Sequence, residues 1–295
     1  MNPREKGFLL LTSCLGDPER RPLTDAQMRL LTQRMELMEK GEDRDIVPED
    51  LMAIGYGQEM AQRIVALLGA GESLRWYLQK AKAAQCIPLS RVSEGYPAIV
   101  RQRLGGESTG CLWAKGNVDL LGYRAISLVG SRDMHPENEK FAQEVGVEAA
   151  EQGYVLVSGN ARGADRVAQN ACLENGGCVI SVVADDLESK NPSDQILYLS
   201  EDGFDLPFSP MRALRRNRVI HALGDKVLVA QATLQSGGTW DGTVRNLRFG
   251  WSPVYCYNDG SEAMQSLGQM GAELITMEQL GDFENLPRRK SLFEL

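Results

Sequence analysis

Histidine is almost absent from this chain of 295 residues, which contains only two, and cysteine is sparse and scattered. The six cysteines form no CxxC pair, which argues against both a thiolate zinc site and a disulfide framework. Two histidines exclude a histidine-rich metal centre, and no G-x-S-x-G elbow supports a Ser-His-Asp triad. We therefore expect reduced thiols, no metal and no catalytic residues.

Long apolar runs and nucleotide-binding fingerprints are absent as well. No apolar segment reaches the roughly 18 residues of a membrane span, and the start MNPREKGFLLL becomes polar too soon for a signal peptide. There is no Walker A loop, and Gly130-Ser131-Arg132 does not continue into the G-x-G-x-x-G of a dinucleotide site. These absences predict a cytoplasmic protein with no cofactor and no membrane partner.

The net charge of −8 counts against simple polyanion binding, since phosphate affinity comes largely from lysine and arginine. Charge is unevenly distributed, however. Between Met211 and Lys226 the chain carries four arginines and one lysine against the single acid Asp225. A basic patch can therefore lie on an acidic protein, and any polyanion would dock there.

Residues 1–85 predict a small helical domain. Apolar residues at helical spacing follow Thr24, a plausible N-cap, and Gly55-Tyr56-Gly57 forms a turn between two short apolar-periodic helices. The helix pair around Gly55-Tyr56-Gly57 resembles a SAM or helix-hairpin-helix domain. In the helix-hairpin-helix motif, the tight turn aims backbone N–H groups at a DNA phosphate. The alternative is a helix pair joined by a tight turn, which Gln58 and Gln62 favour because they stand where a DNA-binding version would often offer lysines.

Residues 90–295 predict one Rossmann-like domain, an α/β fold with a mostly parallel sheet and helices on both faces. From Arg124 onward, short apolar runs alternate with helical patterns, as in successive βαβ units. The predicted strands are Ala125–Val129, Tyr154–Val157, Cys178–Val183, Lys226–Ala230 and Val254–Tyr257. The predicted helices are Asn138–Gln152, Gly163–Asn175, Arg215–Leu223, Gly242–Gly250 and Glu262–Met270.

Glycines and arginines follow the predicted strands, and Gly130, Ser158 and Gln231 each come directly after one. Ligands of such sheets bind at the carboxyl ends of the strands, where glycines admit backbone N–H groups to an anion and arginines clamp it. We therefore expect an anion cradle. Its candidate phosphate-binding residues are Gly130, Ser131, Arg132, Ser158, Gly159, Arg162, Gly163, Arg215, Arg216, Asn217, Arg218, Ser236, Gly237 and Gly238.

Structural roles are the alternative for each group. Arg132 and Arg162 could pair with Asp133 or Asp165, the arginines of the Arg215–Leu223 helix could form a solvated face, and the serines could cap helices or turns.

The ordered motifs between about residue 90 and about residue 280 resemble the DNA-processing protein A family, DprA/Smf. The matching elements are Tyr96-Pro97, Leu112 to Asn117, Val129 to Arg132, Ser158 to Asp165, Arg216 to Ile220, Ser236 to Thr239 and Gly268 to Ile275. The resemblance implies a non-enzymatic, dimeric Rossmann-fold protein that binds single-stranded DNA and helps load a RecA-type recombinase in DNA uptake and recombination. One phosphate would lie at Gly130 to Arg132, another at Ser158, Gly159 and Arg162, and a third at Arg216 and Arg218.

Two departures from the family pattern affect these expectations. Ala213-Leu214 stands where the family has Phe-Pro, so a base-stacking aromatic would have to come from Phe208 or Trp240. The winged-helix domain of some members has no counterpart before Leu295, which suggests a minimal member. A nucleotide sensor or nucleotide-processing enzyme of the same superfamily, and a protein-interaction scaffold, are the alternative functions.

Overall fold

The computed structural model describes residues 1–37 and 44–287, and in these ranges nine strands form a single sheet. The strands are β1 (Ile87–Ser90), β2 (Cys111–Gly116), β3 (Ala125–Val129), β4 (Val155–Ser158), β5 (Cys178–Val183), β6 (Ile196–Glu201), β7 (Lys226–Val229), β8 (Val254–Tyr257) and β9 (Glu273–Ile275). Their order is β1-β2-β6-β5-β4-β3-β7-β8-β9. In this order, each strand from β6 through β5, β4, β3, β7 and β8 to β9 is parallel to its neighbour. Strand β2 is antiparallel to both β1 and β6.

Helices cover both faces of the sheet, which confirms the predicted α/β architecture. They are α1 (Pro3–Thr12), α2 (Asp25–Met35), α3 (Pro48–Ala53), α4 (Gln58–Leu68), α5 (Gly71–Ala83), α6 (Ala98–Leu104), α7 (Pro136–Glu151), α8 (Ala164–Glu174), α9 (Pro210–Leu223), α10 (Gly237–Phe249) and α11 (Glu262–Gln269). Three short 3₁₀ turns occur at Gly105–Glu107, Val118–Gly122 and Met277–Gly281. Helices α7 and α8 pack on one face, and α6, α9, α10 and α11 pack on the other.

The sequence predicts five of the parallel strands, β3, β4, β5, β7 and β8, because both of their faces are buried and they read as mainly apolar runs. All five residues of β3 are buried; Ile126 and Leu128 point toward α7 and α8, and Ala125 and Val129 point toward the opposite face. The predicted N-cap is confirmed, since the Thr24 side chain accepts a hydrogen bond from the Gln27 N–H at the start of α2.

The structure corrects several expectations. The segment Cys111 to Asn117, expected as a lead-in to the sheet, contains the internal strand β2, and β1, β6 and β9 were not predicted as strands. Helix α9 begins at Pro210 instead of Arg215, and α10 begins at Gly237 instead of Gly242. Proline at the first helical position and glycines in a first turn carry little apolar periodicity, so the sequence pattern hides these two starts.

The helices before residue 85 share a hydrophobic cluster with the antiparallel edge of the sheet. Tyr77 of α5 lies in edge-to-face contact with Trp113 of β2, with ring centroids 5.2 Å apart, and packs on Phe204. The Tyr77 hydroxyl donates a hydrogen bond of 2.7 Å to Asp205, which also accepts one from Lys80 at 2.7 Å. The division of the chain near residues 85–90 therefore stays a prediction, while this shared core is a structural finding.

The expected Gly55-Tyr56-Gly57 turn does connect two helices, α3 and α4. Arg34 of α2 holds this turn, because its guanidinium donates a 2.7 Å hydrogen bond to the Gly55 carbonyl and lies 4.5 Å from the centre of the Tyr56 ring. The turn is thus tied into the helical core, as the tight-connection alternative requires. DNA contact at this turn stays a prediction.

All six cysteines are free thiols. Across residues 1–37 and 44–287, no helix has both the length and the apolar character needed to cross a membrane. The same ranges contain no cluster of three or more histidine, cysteine, aspartate or glutamate side chains that could hold a metal ion.

We predict a pH-dependent loss of stability from His221, which is fully buried in α9 with Nδ1 3.1 Å from Asn246 Nδ2. Burial lowers the pKa of His221 from 6.5 to about 3. Between these values the unfolded chain binds a proton that the folded chain does not, so the free energy of unfolding falls as pH falls. His221 should therefore lower the free energy of unfolding by about 2 kcal/mol between pH 7 and pH 5.

Urea unfolding of the wild type and His221→Gln at both pH values measures this effect. Between pH 7 and pH 5, the free energy of unfolding of the variant should fall by about 2 kcal/mol less than that of the wild type. Equal losses in the two proteins would show that His221 is not responsible.

Candidate phosphate-binding site

A cavity of about 410 Å³ lies at the carboxyl ends of β3 and β7. These strands are neighbours, and the chain continues from β3 to β4 on one side and from β7 to β8 on the other. This reversal is the topological switch point at which open α/β sheets bind their ligands. We call it the β3–β7 cavity; its lining residues are Val129, Gly130, Ser131, Arg132, Ala161, Asp165, Pro210, Ala213, Leu214, Arg216, Asn217, Ile220, Thr233, Ser236, Gly237, Gly238 and Thr239.

The floor of the β3–β7 cavity is made of tightly packed backbone. A Cβ atom at Gly130 would lie 2.4 Å from the Cβ of Ala164, so only glycine fits there without movement. The Ser131 N–H donates to the Gln231 carbonyl at 3.0 Å, and the Ser131 carbonyl accepts from the Ala164 N–H at 3.1 Å. The loops after β3, β4 and β7 are therefore joined before any ligand binds.

Arg216 of α9 is the buried cation of this cavity, with only 6% of its surface exposed. Its guanidinium lies over Gly159, where a Cβ atom would come within 1.5 Å of Nη1. Among the described residues its one ion-pair contact is with Asp165 Oδ2 at 4.0 Å, and its Nε has no hydrogen-bond partner. Arg216 is thus a desolvated cation with an incomplete set of acceptors.

Asp165 is the counter-charge of Arg216, and it is also buried. Burial raises the pKa of Asp165, while Arg216 and the Ala161 N–H, which donates to Oδ2 at 3.1 Å, act in the opposite direction. Burial likewise lowers the pKa of Arg216, and Asp165 opposes that shift. Each charge therefore favours the ionised form of the other, against the effect of burial.

The N-terminus of α10 closes the far side of the cavity. Gly237, Gly238 and Thr239 form its first turn and line the cavity, and the N-cap residue Ser236 makes no side-chain cap hydrogen bond. The first N–H groups of a helix have no partner within it, and they carry the positive end of the helix dipole. The Thr239 hydroxyl donates to the Gly130 carbonyl at 2.9 Å, which fixes this turn against the loop after β3.

A second depression of about 350 Å³ continues from the cavity and shares Arg132, Ala161, Ala213 and Arg216 with it. We call it the Phe208 basin; its remaining lining residues are Gly159, Asn160, Arg162, Arg166, Val183, Ala184, Asp185, Lys190 and Phe208. The two depressions together carry five cationic and two acidic side chains. An acidic protein thus presents one locally cationic groove.

The cations of this groove other than Arg216 differ in how they are paired. The Arg162 guanidinium lies 2.6 Å from Asp133, and Lys190 lies 2.5 Å from Asp185. Arg132, which lines both depressions, makes no side-chain hydrogen bond or ion pair within residues 1–37 and 44–287. From the sequence, Arg132 and Arg162 could each have paired with Asp133 or Asp165. In the structure, Arg162 pairs with Asp133 and Arg132 pairs with neither.

The structure brings most of the predicted site residues together. Those that line the β3–β7 cavity are Gly130, Ser131, Arg132, Arg216, Asn217, Ser236, Gly237 and Gly238, and Gly159 and Arg162 line the Phe208 basin. Ser158 is completely buried behind them. Gly163 has a structural reason for its identity, since its φ is +85° and a Cβ atom would lie 2.4 Å from the carbonyl oxygens of Ser131 and Arg132.

Arg215 and Arg218 point away from the cavity, which corrects the expectation that α9 presents all its arginines to one crevice. Arg215 pairs with Asp202 at 3.2 Å, and Arg218 is buried against Glu201 at 2.8 Å. On a helix, Arg215 projects ~100° and Arg218 ~200° away from Arg216, so the face of α9 that presents Arg216 to the cavity does not present the other two. Trp240 is buried and offers no stacking face, whereas Phe208 is exposed.

Sequence reasoning missed Arg166, Asp185 and Lys190 as parts of the groove. Arg166 lies in α8, beyond the glycine-rich turn, and the other two lie in the irregular segment after β5. None of them belongs to a glycine-rich motif, so the sequence carried no signal for their position.

The family model described as DNA recombination-mediator protein A matches residues 88–280. The chain belongs to this family. Its members DprA of Streptococcus pneumoniae and Smf of Escherichia coli are 34% identical over 188 residues and 30% identical over 183 residues. The matched segments cover 59% and 57% of this chain, but only 66% and 48% of those two relatives.

Solved structures of DprA proteins share the fold. The X-ray structure of DNA processing protein A from Streptococcus pneumoniae superposes with a TM-score of 0.68 at 25% identity, covering 88% of this chain and 96% of that one. A structure of DNA processing protein A from Helicobacter pylori, described for its single-stranded DNA binding mode, superposes with a TM-score of 0.55 at 23% identity. That match covers 68% of this chain and 94% of the other.

We predict that Gly159→Ala will destabilise the protein by about 1–3 kcal/mol, because the new methyl group overlaps the buried Arg216 guanidinium. Gly122→Ala is the matched control, since a Cβ atom there has no neighbour within 4 Å and no positive φ opposes it. The control should change stability by less than about 0.5 kcal/mol. Chemical unfolding measures both variants, and equal stability of the two would show that Arg216 adapts without cost.

Proposed function

We propose that this chain binds single-stranded DNA through its phosphates, as a recombination mediator of the DprA/Smf type. The observation that carries the proposal is Arg216, a cation with 6% of its surface exposed, which lines the β3–β7 cavity and has Asp165 at 4.0 Å as its one ion-pair contact among the described residues. A buried charge without full pairing is costly unless a ligand completes its hydrogen bonds. An anion entering the cavity would do so.

A phosphate group suits the donors at this site. A guanidinium offers planar, paired N–H donors to phosphate oxygens, and the first turn of α10 adds a positive helix end. Arg132 lines the same cavity and has no side-chain partner among the described residues, so it can contribute to the same anion. Three independent elements, the loop after β3, α9 and α10, thus supply positive potential to one point.

Continuity of the groove favours a polymer over a single nucleotide. Arg132 and Arg216 line both depressions, and Arg162, Arg166 and Lys190 extend the positive charge along the Phe208 basin. A chain of phosphates can neutralise several of these cations at once, with release of counterions for each. A mononucleotide would occupy the cavity and leave the basin unused.

A single strand fits the recessed cations better than a duplex does. Arg216 lies at the bottom of the cavity, and a flexible strand can bend one phosphate into it, while a stiff duplex keeps its phosphates on the outside of a rod. The single-stranded DNA binding mode described for the Helicobacter pylori relative supports the same choice.

Recombinase loading is the finer part of the proposal, and it rests on family membership. Assembly of a RecA-type recombinase on DNA coated with single-strand-binding protein tests it directly.

Binding without catalysis is proposed because the charged residues that line the β3–β7 cavity are Arg132, Asp165 and Arg216, which form no set of nucleophile, base and orienting group. Homodimerisation and a cytoplasmic location remain predictions.

We predict that Arg132→Ala will weaken binding of a fluorescently labelled oligo-dT about tenfold at low salt, because an unpaired cation at the centre of the groove is lost. The slope of log affinity against log salt should become shallower by roughly 0.7, the value for one phosphate of a single strand. Arg4→Ala is the matched control, since Arg4 is exposed in α1 and lines neither depression. It should change neither quantity.

Fluorescence anisotropy with oligo-dT, duplex DNA and a labelled mononucleotide separates the possible functions. Tight, salt-sensitive binding of oligo-dT supports the proposal, and mononucleotide binding alone would replace it with the nucleotide-sensor function. Equal affinity of Arg132→Ala and Arg4→Ala for oligo-dT would contradict the site assignment.

We predict the opposite effect for Asp133→Asn. Asp133 holds Arg162 at 2.6 Å, and loss of its charge frees this guanidinium for a phosphate at the edge of the basin. Because the pair is solvent-exposed, the gain should be modest, about threefold in oligo-dT affinity at low salt. Titration by anisotropy measures it, and unchanged or weaker binding would mean that Arg162 does not meet the strand.

A further inference from the structure

We propose that a depression beside Trp76, on the N-terminal helices, holds an arginine side chain of a protein partner. The depression has a volume of about 370 Å³, and its lining residues are Leu15, Gly16, Asp17, Glu72, Ser73 and Trp76. We call it the Trp76 site. It shares no lining residue with the β3–β7 cavity or the Phe208 basin, so the inference does not rest on the proposed function.

Trp76 is the exposed one of the four tryptophans in the chain. Its exposed fraction is 61%, whereas the other three tryptophans are exposed by 6% or less. The next residue, Tyr77, is buried against Trp113, so Trp76 projects from α5 about 100° away from the shared core. Tryptophan is among the residues most enriched at the energetic centres of protein interfaces. An exposed tryptophan beside a depression therefore marks a surface for a partner.

The loop after α1 forms one wall of the Trp76 site, and it is fixed before any partner binds. Gly16 lies on the Tyr77 ring, since a Cβ atom there would be 2.9 Å from Cε2, and its φ is +76°. The Arg20 guanidinium donates hydrogen bonds to the carbonyls of Leu10 at 2.7 Å and Leu67 at 3.2 Å. A wall that is already ordered costs a partner little binding free energy.

Charge complementarity selects a cation as the occupant. The charged side chains that line the Trp76 site are Asp17 and Glu72, both exposed. Asp17 Oδ1 accepts a hydrogen bond of 2.9 Å from the Glu19 N–H, which orients the carboxylate. Glu72 lies 3.5 Å from Arg75, but both side chains are so exposed that this pair contributes little. The first turn of α5 adds only about half a positive charge, so the lining keeps a negative charge.

Arginine suits a ring and two carboxylates better than other cations do. A guanidinium stacks on the face of an indole ring, and its paired N–H groups fit a carboxylate. Nucleic acid does not suit this site, because its phosphates would meet Asp17 and Glu72. A protein segment that carries an arginine is therefore the partner that the Trp76 site fits, and it can bind while another ligand occupies the groove.

The experiment titrates the full chain with a fluorescein-labelled peptide, Gly-Arg-Gly-Arg-Gly, and with its citrulline analogue, which keeps the shape of arginine and lacks its charge. The wild type should bind the arginine peptide about tenfold more tightly than the analogue. Trp76→Leu, which keeps an apolar side chain without the ring, should weaken binding of the arginine peptide about threefold. Asp17→Asn should weaken it by a similar factor, since its amide oxygen can still accept from the Glu19 N–H.

Two matched controls separate the Trp76 site from general attraction to an acidic protein. Tyr123→Leu removes another exposed aromatic ring, and Glu151→Gln removes another exposed carboxylate. Neither residue lines the Trp76 site or the groove, so both variants should bind as the wild type does. The unlabelled arginine peptide should also shift the tryptophan emission of the wild type, and Trp76→Leu should lose this shift because its remaining tryptophans are buried.

The outcomes separate this inference from the proposed function. If Trp76→Leu and Tyr123→Leu bind the arginine peptide equally, the ring does not contact the cation and the inference fails. Equal affinity of the wild type for the two peptides would also overturn it, since the contact would not depend on charge. If Trp76→Leu lowers the molecular mass in solution, the surface is a contact between copies of the chain. Oligo-dT affinity should be the same in Trp76→Leu and the wild type, and a loss in the variant would assign this surface to DNA instead.

Discussion

The contact of Arg216 with Asp165 above Gly159 is the constraint on which the functional region depends. It places a guanidinium where β3, β4 and β7 end, and it requires a residue without a side chain at position 159, because any Cβ atom there would overlap Arg216 Nη1. Desolvation of both charges is tolerable only because each supports the ionised form of the other. The incomplete pairing at 4.0 Å leaves donor capacity for a third charge, and the cavity provides the space for it.

Helix α9 shows how one arginine-rich segment can serve several physical purposes. Arg212 fastens the loop before the helix, Arg215 pairs with Asp202, and Arg218 is buried against Glu201. Arg216 alone of the four lines the β3–β7 cavity. Three of the four arginines therefore maintain the position of the helix that carries the fourth, and this explains why so basic a helix supplies only one cation to the groove.

An overall negative charge is compatible with this site because the acids and bases are segregated. The groove has five cationic side chains and two acidic ones, within a chain of net charge −8. The net charge opposes the approach of a polyanion at long range and the groove would favour it at short range, so any binding should be more localised than for a uniformly basic protein. The N-terminal helices contribute indirectly, through the shared core of Tyr77, Trp113 and Phe204 at the sheet edge.

The sequence alone determined the α/β class, five central parallel strands and the switch-point loops, because buried strands leave mainly apolar runs and tight turns leave glycines. It also predicted that Gly130, Arg132, Arg216 and Gly237 lie close together, and all four line the cavity, while phosphate binding by them stays a prediction. Only the tertiary structure decided which arginine of α9 faces the β3–β7 cavity, since neighbouring residues on a helix differ by ~100° in direction. It also decided that β1, β2, β6 and β9 complete the sheet and that Lys190, Arg166 and Phe208 border the groove. Those positions depend on pairing between distant segments, and no local pattern in the sequence encodes such pairing.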